Sequence, residues 1–298
     1  MTTPDLRTPR PPTGDAVAAV PRQGIDTADG VPFLKGHGTE NDFVLLPDPG
    51  GVLEVSASQV RALCDRRAGL GADGVIRIAP APAGSGAAFD MDYRTADGSP
   101  AQMCGNGARV FARYLVDAGW AAPGRIVFRT GGGLRVAEAP DRGDVTIEMG
   151  PVRLGDPGAA LVGGTQFDGV AVDVGNPHLV CLTDLALESL DLSREPGYDR
   201  VAFPEGVNIE FAVPDGPDRV AMRVHERGVG ETRSCGTGTV AVAAAYLAAT
   251  HRSAGTVRVS VPGGAVTVTV APDDSTLTGP AVLVASGTID GGFWARHR

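Results

Sequence analysis

Met-Cys-Gly-Asn-Gly at 103–107, continued by Ala-Arg-Val-Phe-Ala-Arg-Tyr-Leu at 108–115, comes back 131 positions later (235 − 104). It returns as Ser-Cys-Gly-Thr-Gly at 234–238, continued by Thr-Val-Ala-Val-Ala-Ala-Ala-Tyr-Leu at 239–247. In each copy a Cys-Gly-x-Gly turn opens an apolar stretch of helical character, predicted over 106–118 and 237–250. Alternating strands follow both: Ile126–Thr130, Leu134–Glu138 and Val145–Met149 around a Gly131–Gly133 turn, then Val257–Val261 and Ala265–Val270 around Pro262–Gly264. Upstream, each half carries a strand with polar amide residues, at 33–43 and 174–180. One unit used twice predicts an α/β (α+β) fold of two pseudo-symmetric domains. Each wraps strands around a central helix, and the cleft between them is the active site.

The boundaries that follow are 31–149 plus 281–298 for the first domain and 150–280 for the second. A length of 298 residues fits two domains of ordinary size. The first thirty residues, with Pro4, Pro9, Pro11, Pro12 and Pro21 among small polar residues, read as a disordered tail.

The formal net charge is −9 with pI near 5.0, and no basic run interrupts it. That excludes nucleic acid and anionic membrane as partners and favours a small-molecule ligand. No apolar run reaches the roughly 20 residues of a membrane span, nor does the opening have signal-peptide character, so the expected location is the cytoplasm. The four cysteines, at 64, 104, 181 and 235, form no close pair of the metal-binding or disulfide kind. Cys64 and Cys181 lie in apolar surroundings and read as core. Lys35 is the only lysine and sits in a strand-like stretch, which argues against a pyridoxal Schiff base. The reading is of a site with neither organic cofactor nor metal.

A thiol at a helix start lies where unpaired N–H groups and the macrodipole stabilise its anion, so Cys104 and Cys235 are predicted to have lowered pKa values. The neighbouring glycines open the same N–H groups to a carboxylate. Two such ends facing each other would hold an amino-acid carboxylate and place a sulfur on each side of its α-carbon. One takes a proton and the other gives one. A single Cys-Gly-x-Gly would be weak evidence, since cysteine is commonly a small buried hydrophobe. The duplication strengthens it.

The motifs together resemble diaminopimelate epimerase. They are Gly-His-Gly-Thr-Glu-Asn-Asp-Phe at 36–43, Cys-Asp-Arg-Arg-Ala-Gly-Leu-Gly-Ala-Asp-Gly at 64–74, Ala-Asp-Gly-Ser at 96–99, Met-Cys-Gly-Asn-Gly-Ala-Arg at 103–109, Gly-Asn-Pro-His at 175–178, Glu-Gly-Val-Asn-Ile-Glu-Phe at 205–211, and the run 225–238 ending in Ser-Cys-Gly-Thr-Gly. The resemblance runs from Phe33 almost to the C-terminus. It implies the duplicated fold, a cleft that closes on substrate, and a last strand near Ala281–Ile289 returning to the first domain.

The resemblance also implies roles. Cys104 and Cys235 would exchange the α-proton, and Gly105, Asn106, Gly236 and Thr237 would bind the reacting carboxylate. Asn41, Asn176, Asn208 and Arg227 would bind the substrate's polar ends, with Arg227 on the distal carboxylate. Glu226 and His178 would take the α-ammonium or tune the nearby thiol. The reaction implied is interconversion of LL- and meso-diaminopimelate, with a homodimer as the expected assembly. One position departs: Thr95 stands where the family usually has an Asn that contacts the substrate's distal end. A threonine cannot offer an amide's paired donors and acceptor, so a divergent racemase of another amino acid stays open. A binding protein that lost turnover, and an acyl-transfer site of Cys104 with His178, are the readings of other classes.

Overall fold

The computed structural model describes residues 25–298, and the first 24 of the thirty residues expected as a tail lie outside them. Residues 25–30 form a turn, with the Asp29 N–H donating to Asp26 O at 3.2 Å. Ile25 packs against the cluster that holds Val31 and Trp294, an apolar anchor in a segment whose composition suggested a tail.

Four helices occur among the described residues: α1 (Ala57–Cys64), α2 (Gly105–Asp117), α3 (Gly236–Ala249) and α4 (Gly291–Arg296). None is long and apolar enough to cross a membrane. The central pair starts one residue earlier than the sequence suggested, because the cysteine itself is the N-cap in both. Cys104 has φ −137° and ψ 118°, Cys235 φ −121° and ψ 117°. Helix α3 is apolar all round and buried from Gly238 to Leu247, as a helix enclosed by strands must be.

The duplication is legible in the pairing. In the first half Val31–Gly38 pairs antiparallel with Asn41–Pro47, which runs parallel to Gly74–Pro80. Phe89–Thr95 follows antiparallel, Gly124–Thr130 parallel, and Gly133–Ala139 and Val145–Glu148 antiparallel. In the second half Thr165–Asp173, Pro177–Leu182, Asn208–Pro214, Arg219–Glu226, Gly255–Val261, Gly264–Val270 and Ser275–Gly279 repeat the same series of orientations.

Each half is completed by an outer strand, and the two come from different places. Arg153–Val162 flanks Thr165–Asp173 in the second half. Val282–Ile289, from the chain's end, flanks Val31–Gly38 in the first, with Val31 opposite Ile289. The halves are joined edge to edge where the two equivalent strands Val145–Glu148 and Ser275–Gly279 pair antiparallel, Ile147 opposite Leu277. A pairing between equivalent strands puts the pseudo-two-fold axis through the junction, and it covers two edges that would otherwise be open.

The core is continuous across the junction. Phe43, Ile76, Met91 and Phe128 share the cluster with Phe111 of α2, and Val220, Met222, Val259 and Val268 share it with Val240 of α3. Helix α1 lies outside, on Val44, Leu46 and Trp294. Its start is a capping box, with Ser56 Oγ accepting from the Gln59 N–H at 3.1 Å and Gln59 Oε1 accepting from the Ser56 N–H at 2.8 Å.

Candidate active site

Glycines bring the two helix ends together. A Cβ on Gly236 would fall 3.2 Å from Gly105 Cα and 3.4 Å from Asn106 N, so the first turns of α2 and α3 touch backbone to backbone. The second glycine of each motif seats its helix on the sheet. A Cβ on Gly107 would meet Ile76 Cδ1 at 3.0 Å, and one on Gly238 would meet Glu210 Oε1 at 2.7 Å. The expected cleft is therefore shut at its floor, and Asn106 and Cys235 are buried there.

Polar groups stitch the ends together. Asn106 Nδ2 donates to Ser234 O at 3.3 Å and to Asn41 Oδ1 at 3.3 Å. Thr39 and Ser234 share a hydroxyl hydrogen bond of 2.6 Å. Cys104 Sγ accepts from the Gly107 N–H at 3.5 Å and donates to Asn41 Oδ1 at 3.5 Å. Asn41 is aimed by Asp73, whose Oδ2 accepts from its amide at 2.8 Å. Asp73 belongs to an ion network with Arg66, Asp42 and Lys35, the only lysine, whose Nζ lies 2.6 Å from Asp42. Desolvation works against these partners at Asp42, yet Arg66 and Lys35 hold its pKa down at about 2.

On the second side, Cys235 Sγ lies 3.5 Å from Thr237 Oγ1, which accepts from Asn176 Nδ2 at 3.4 Å. His178 has Nδ1 on Glu210 Oε1 at 2.7 Å and Nε2 on Asn176 Oδ1 at 3.0 Å, both oxygens. It is not bonded to Cys104, so the acyl-transfer dyad is not assembled. Glu226 takes a short hydrogen bond from the Thr232 hydroxyl, and its charge acts on the Cys235 thiol. Asn208 Oδ1 accepts from the Arg227 N–H at 2.9 Å, and Arg227 Nη1 donates to Glu205 O at 3.1 Å. The exposed Arg227 guanidinium enters no ion pair among the described residues.

One expectation, the lowered thiol pKa values, needs correction. Burial outweighs the helix-end donors at both thiols. It pushes Cys104 up to about 11 and Cys235 well above its ordinary value, the latter helped by the carboxylates of Glu226 and Glu210. Burial likewise raises Glu226. Thr95, expected at the substrate's distal end, spends its hydroxyl within its own turn, on Asp97 Oδ1 at 2.6 Å and Ser99 O at 3.1 Å. Cys64 and Cys181 are core residues, as their surroundings suggested.

Sequence reasoning passed over Thr39, Asp73, Glu210 and Ser234. Glu210 was the most readable, a carboxylate between Ile209 and Phe211 in a strand whose neighbours are buried. Thr39 was not readable. It and Glu40 form the two-residue tip of the first hairpin with φ of 50° and 61°, a left-handed pair that Asn-Gly ordinarily supplies.

The solved structures that share this fold include a phenazine biosynthesis protein of the PhzF family from Bacillus anthracis. It matches with TM-score 0.68 and 13% identity, over 87% of this chain and 98% of that one. A hydroxyproline epimerase from Agrobacterium vitis matches with TM-score 0.63 and 18% identity, over 88% and 92%. The fold is that of the two-domain epimerases and their structural kin. The family model described as "Diaminopimelate epimerase" matches residues 33–155 and 170–284. Curated relatives of that name are 52% identical in Rhodococcus jostii (strain RHA1), over 88% of this chain and 98% of the relative, and 50% identical in Mycobacterium ulcerans (strain Agy99), over 89% and 99%. The chain belongs to the diaminopimelate epimerase family and is an isomerase, which removes the binding-protein and acyl-transfer readings.

Proposed function

We propose that this chain interconverts LL- and meso-diaminopimelate by passing the α-proton between two thiols. The supporting observation is the contact of two helix N-termini with Cys104 and Cys235 at their N-caps, Gly236 seated on Gly105 and the Leu277 side chain against both glycines. The substrate is carried over from relatives half identical to the chain along nearly their whole length.

The α-carboxylate sits on the N–H groups of Gly105, Asn106, Gly236 and Thr237. One cysteine, as thiolate, takes the α-proton, and the electron pair spreads into the carboxylate, where those N–H groups stabilise it. The other cysteine, as thiol, gives its proton to the opposite face. The α-carbon is inverted and the thiols have exchanged roles. Glu226 takes the α-ammonium or tunes the nearby thiol, and the Glu210–His178–Asn176 chain keeps Thr237 oriented. Asn41, Asn208 and Arg227 take the polar ends of the substrate. To the same proposal belong a cytoplasmic location, a homodimeric assembly, and domains of 31–149 with 281–298 and 150–280.

The test is incubation of the reduced protein with LL-diaminopimelate in D₂O, followed by NMR. Loss of the α-proton signal with appearance of meso product is expected. Exchange with another amino acid alone would keep the mechanism and replace the substrate.

The raised thiol pKa values set the pH dependence. The base is the deprotonated form, so activity is low below the thiol pKa and grows as pH rises through it; raising that pKa moves the ascending limb upward. kcat/KM is expected to keep climbing between about pH 7 and pH 9, and to turn over once the second thiol ionises. A profile flat from pH 6 upward would contradict both thiols being protonated at rest.

Thr95 supports a second reading, in which the substrate lacks a distal end of diaminopimelate's kind. Thr95→Asn restores an amide at that position. If diaminopimelate reaches it, KM should fall about two- to tenfold, the worth of one hydrogen bond of roughly 0.5–1.5 kcal/mol. An unchanged KM for diaminopimelate, with better turnover of another amino acid by the unaltered protein, would favour the second reading.

A further inference from the structure

Arg109 is the largest fully buried side chain, and it enters no ion pair among the described residues. Its hydrogen bonds all go to neutral oxygens: Nε to Pro280 O at 3.2 Å, Nη1 to Gly105 O at 3.4 Å and Nη2 to the Thr39 hydroxyl at 3.4 Å. The room for the guanidinium is made by glycines. A Cβ on Gly38 would lie 2.9 Å from Nη2, and one on Gly279 would lie 3.5 Å from Nε. Helical side chains lean toward the N-terminus of their helix, and the bond to Gly105 O shows this one folded back under the turn that Cys104 caps.

A buried cation without a carboxylate is costly unless an anion is to appear beside it. The anion that appears here is a thiolate, and the duplication shows which one. Position 109 of the first unit corresponds to position 240 of the second (109 + 131), and that residue is Val240, equally buried. The repeat thus keeps the thiol, the glycines and the helix, but places a cation under Cys104 only. Glu226 acts on both thiols, and Cys235 has a second carboxylate, Glu210, besides.

We infer that Arg109 is a positioning residue that makes the two thiols inequivalent, so that Cys104 is the first to ionise as pH rises and becomes the base while Cys235 stays the acid. This rests on the two-thiol reading above. The charged and titratable groups facing Cys104 are Arg109, Glu226 and Tyr93, and those acting on Arg109 are Cys104 and Asp144. Glu226 opposes ionisation of both cysteines and so does not distinguish them. The neutral Asn41 Oδ1 also favours the Cys104 thiol, but as a dipole against a full charge. The direction agrees, since Arg109 is among the groups restraining the rise at Cys104.

The experiment is alkylation by iodoacetamide across a pH series, with each cysteine followed by peptide mass spectrometry. The thiolate attacks the methylene carbon and displaces iodide, so the inflection of rate against pH reports the thiol's ionisation, whereas access changes only the plateau. In the unaltered protein the Cys104 inflection is expected below that of Cys235. Arg109→Met should move the Cys104 inflection up by about one unit or more, a tenfold loss of thiolate at a given pH, and leave Cys235 nearly in place. Arg109→Lys should restore it.

Should Arg109→Met not fold, Arg109→Gln keeps an amide donor for Pro280 O without the charge and makes the same comparison. Thiolate ultraviolet absorbance of Cys235→Ala against Cys104→Ala repeats the ordering without a reagent. A Cys235 inflection below that of Cys104, or a Cys104 inflection that stays put in the neutral variant, overturns the inference. Full epimerase activity in Cys104→Ala would sink the two-thiol reading instead, whatever Arg109 does.

Discussion

Cys104→Ala and Cys235→Ala should each lose epimerisation by on the order of a thousandfold or more, while each still exchanges the α-proton of one isomer with solvent. The asymmetry follows from geometry. With one sulfur gone, the remaining thiolate can remove the proton that faces it and return a solvent-derived one to the same face, so label enters without inversion. Cys104→Ala should therefore label the isomer whose α-proton faces Cys235, and Cys235→Ala the other. Neither change should unsettle the fold, because the hydrogen bonds lost are long, two of 3.5 Å at Cys104 Sγ and one of 3.5 Å from Cys235 Sγ to Thr237, and alanine keeps the Cβ in the core. NMR of the α-proton of each isomer in D₂O, beside a melting curve for each variant, reads the outcome. A variant that labels both isomers at the normal rate would remove its cysteine from the reaction. Loss of both exchanges at normal stability would mean that one thiol cannot be charged without the other.

What the sequence disclosed and what it withheld have physical reasons. The central helices and their flanking strands were legible because a Cys-Gly-x-Gly start is a local signal and apolar alternation is a short-range one. The boundaries moved by a residue or two, as when Gly133–Ala139 extends the predicted Leu134–Glu138. The repeat supplied the two-domain plan.

The junction of Val145–Glu148 with Ser275–Gly279 had no sequence signal, because an edge strand carries nothing that names its partner. The left-handed Thr39–Glu40 tip ran against residue preference. It is held from outside: Thr39 by Ser234, Asn106 and Arg109, and Glu40 by an ion pair with Arg233. The thiol pKa values were misjudged for a related reason. A helix end is visible in sequence, but the desolvation produced when a second domain closes on it is not.

On the proposed reading, Arg227 is the residue on which the choice of substrate turns. Its backbone is fixed by Asn208, its Cδ and Cγ pack within about 3 Å of where a Cβ on Gly206 would lie, and its guanidinium is exposed with a carbonyl partner but no carboxylate. A fork held in place and left unpaired suits a ligand carboxylate taken bidentately. Diaminopimelate offers one at its far end, and most amino acids do not.

Arg227→Ala should therefore weaken kcat/KM for diaminopimelate by roughly 30- to 1,000-fold, the equivalent of about 2–4 kcal/mol of charge-assisted bonding. The loss should fall in KM, because a contact at the non-reacting end is the same in ground and transition states. Arg227→Lys should recover only part of it, since a point charge cannot reproduce the fork. An amino acid without a distal carboxylate supplies the control, for its turnover, however slow, should not change with Arg227. Steady-state kinetics of the three proteins on both substrates decide the matter. An unchanged KM for diaminopimelate in Arg227→Ala would leave the chain with no clamp for the distal end, and with Thr95 already turned into its own loop, the substrate would have to be sought among amino acids that carry a single carboxylate.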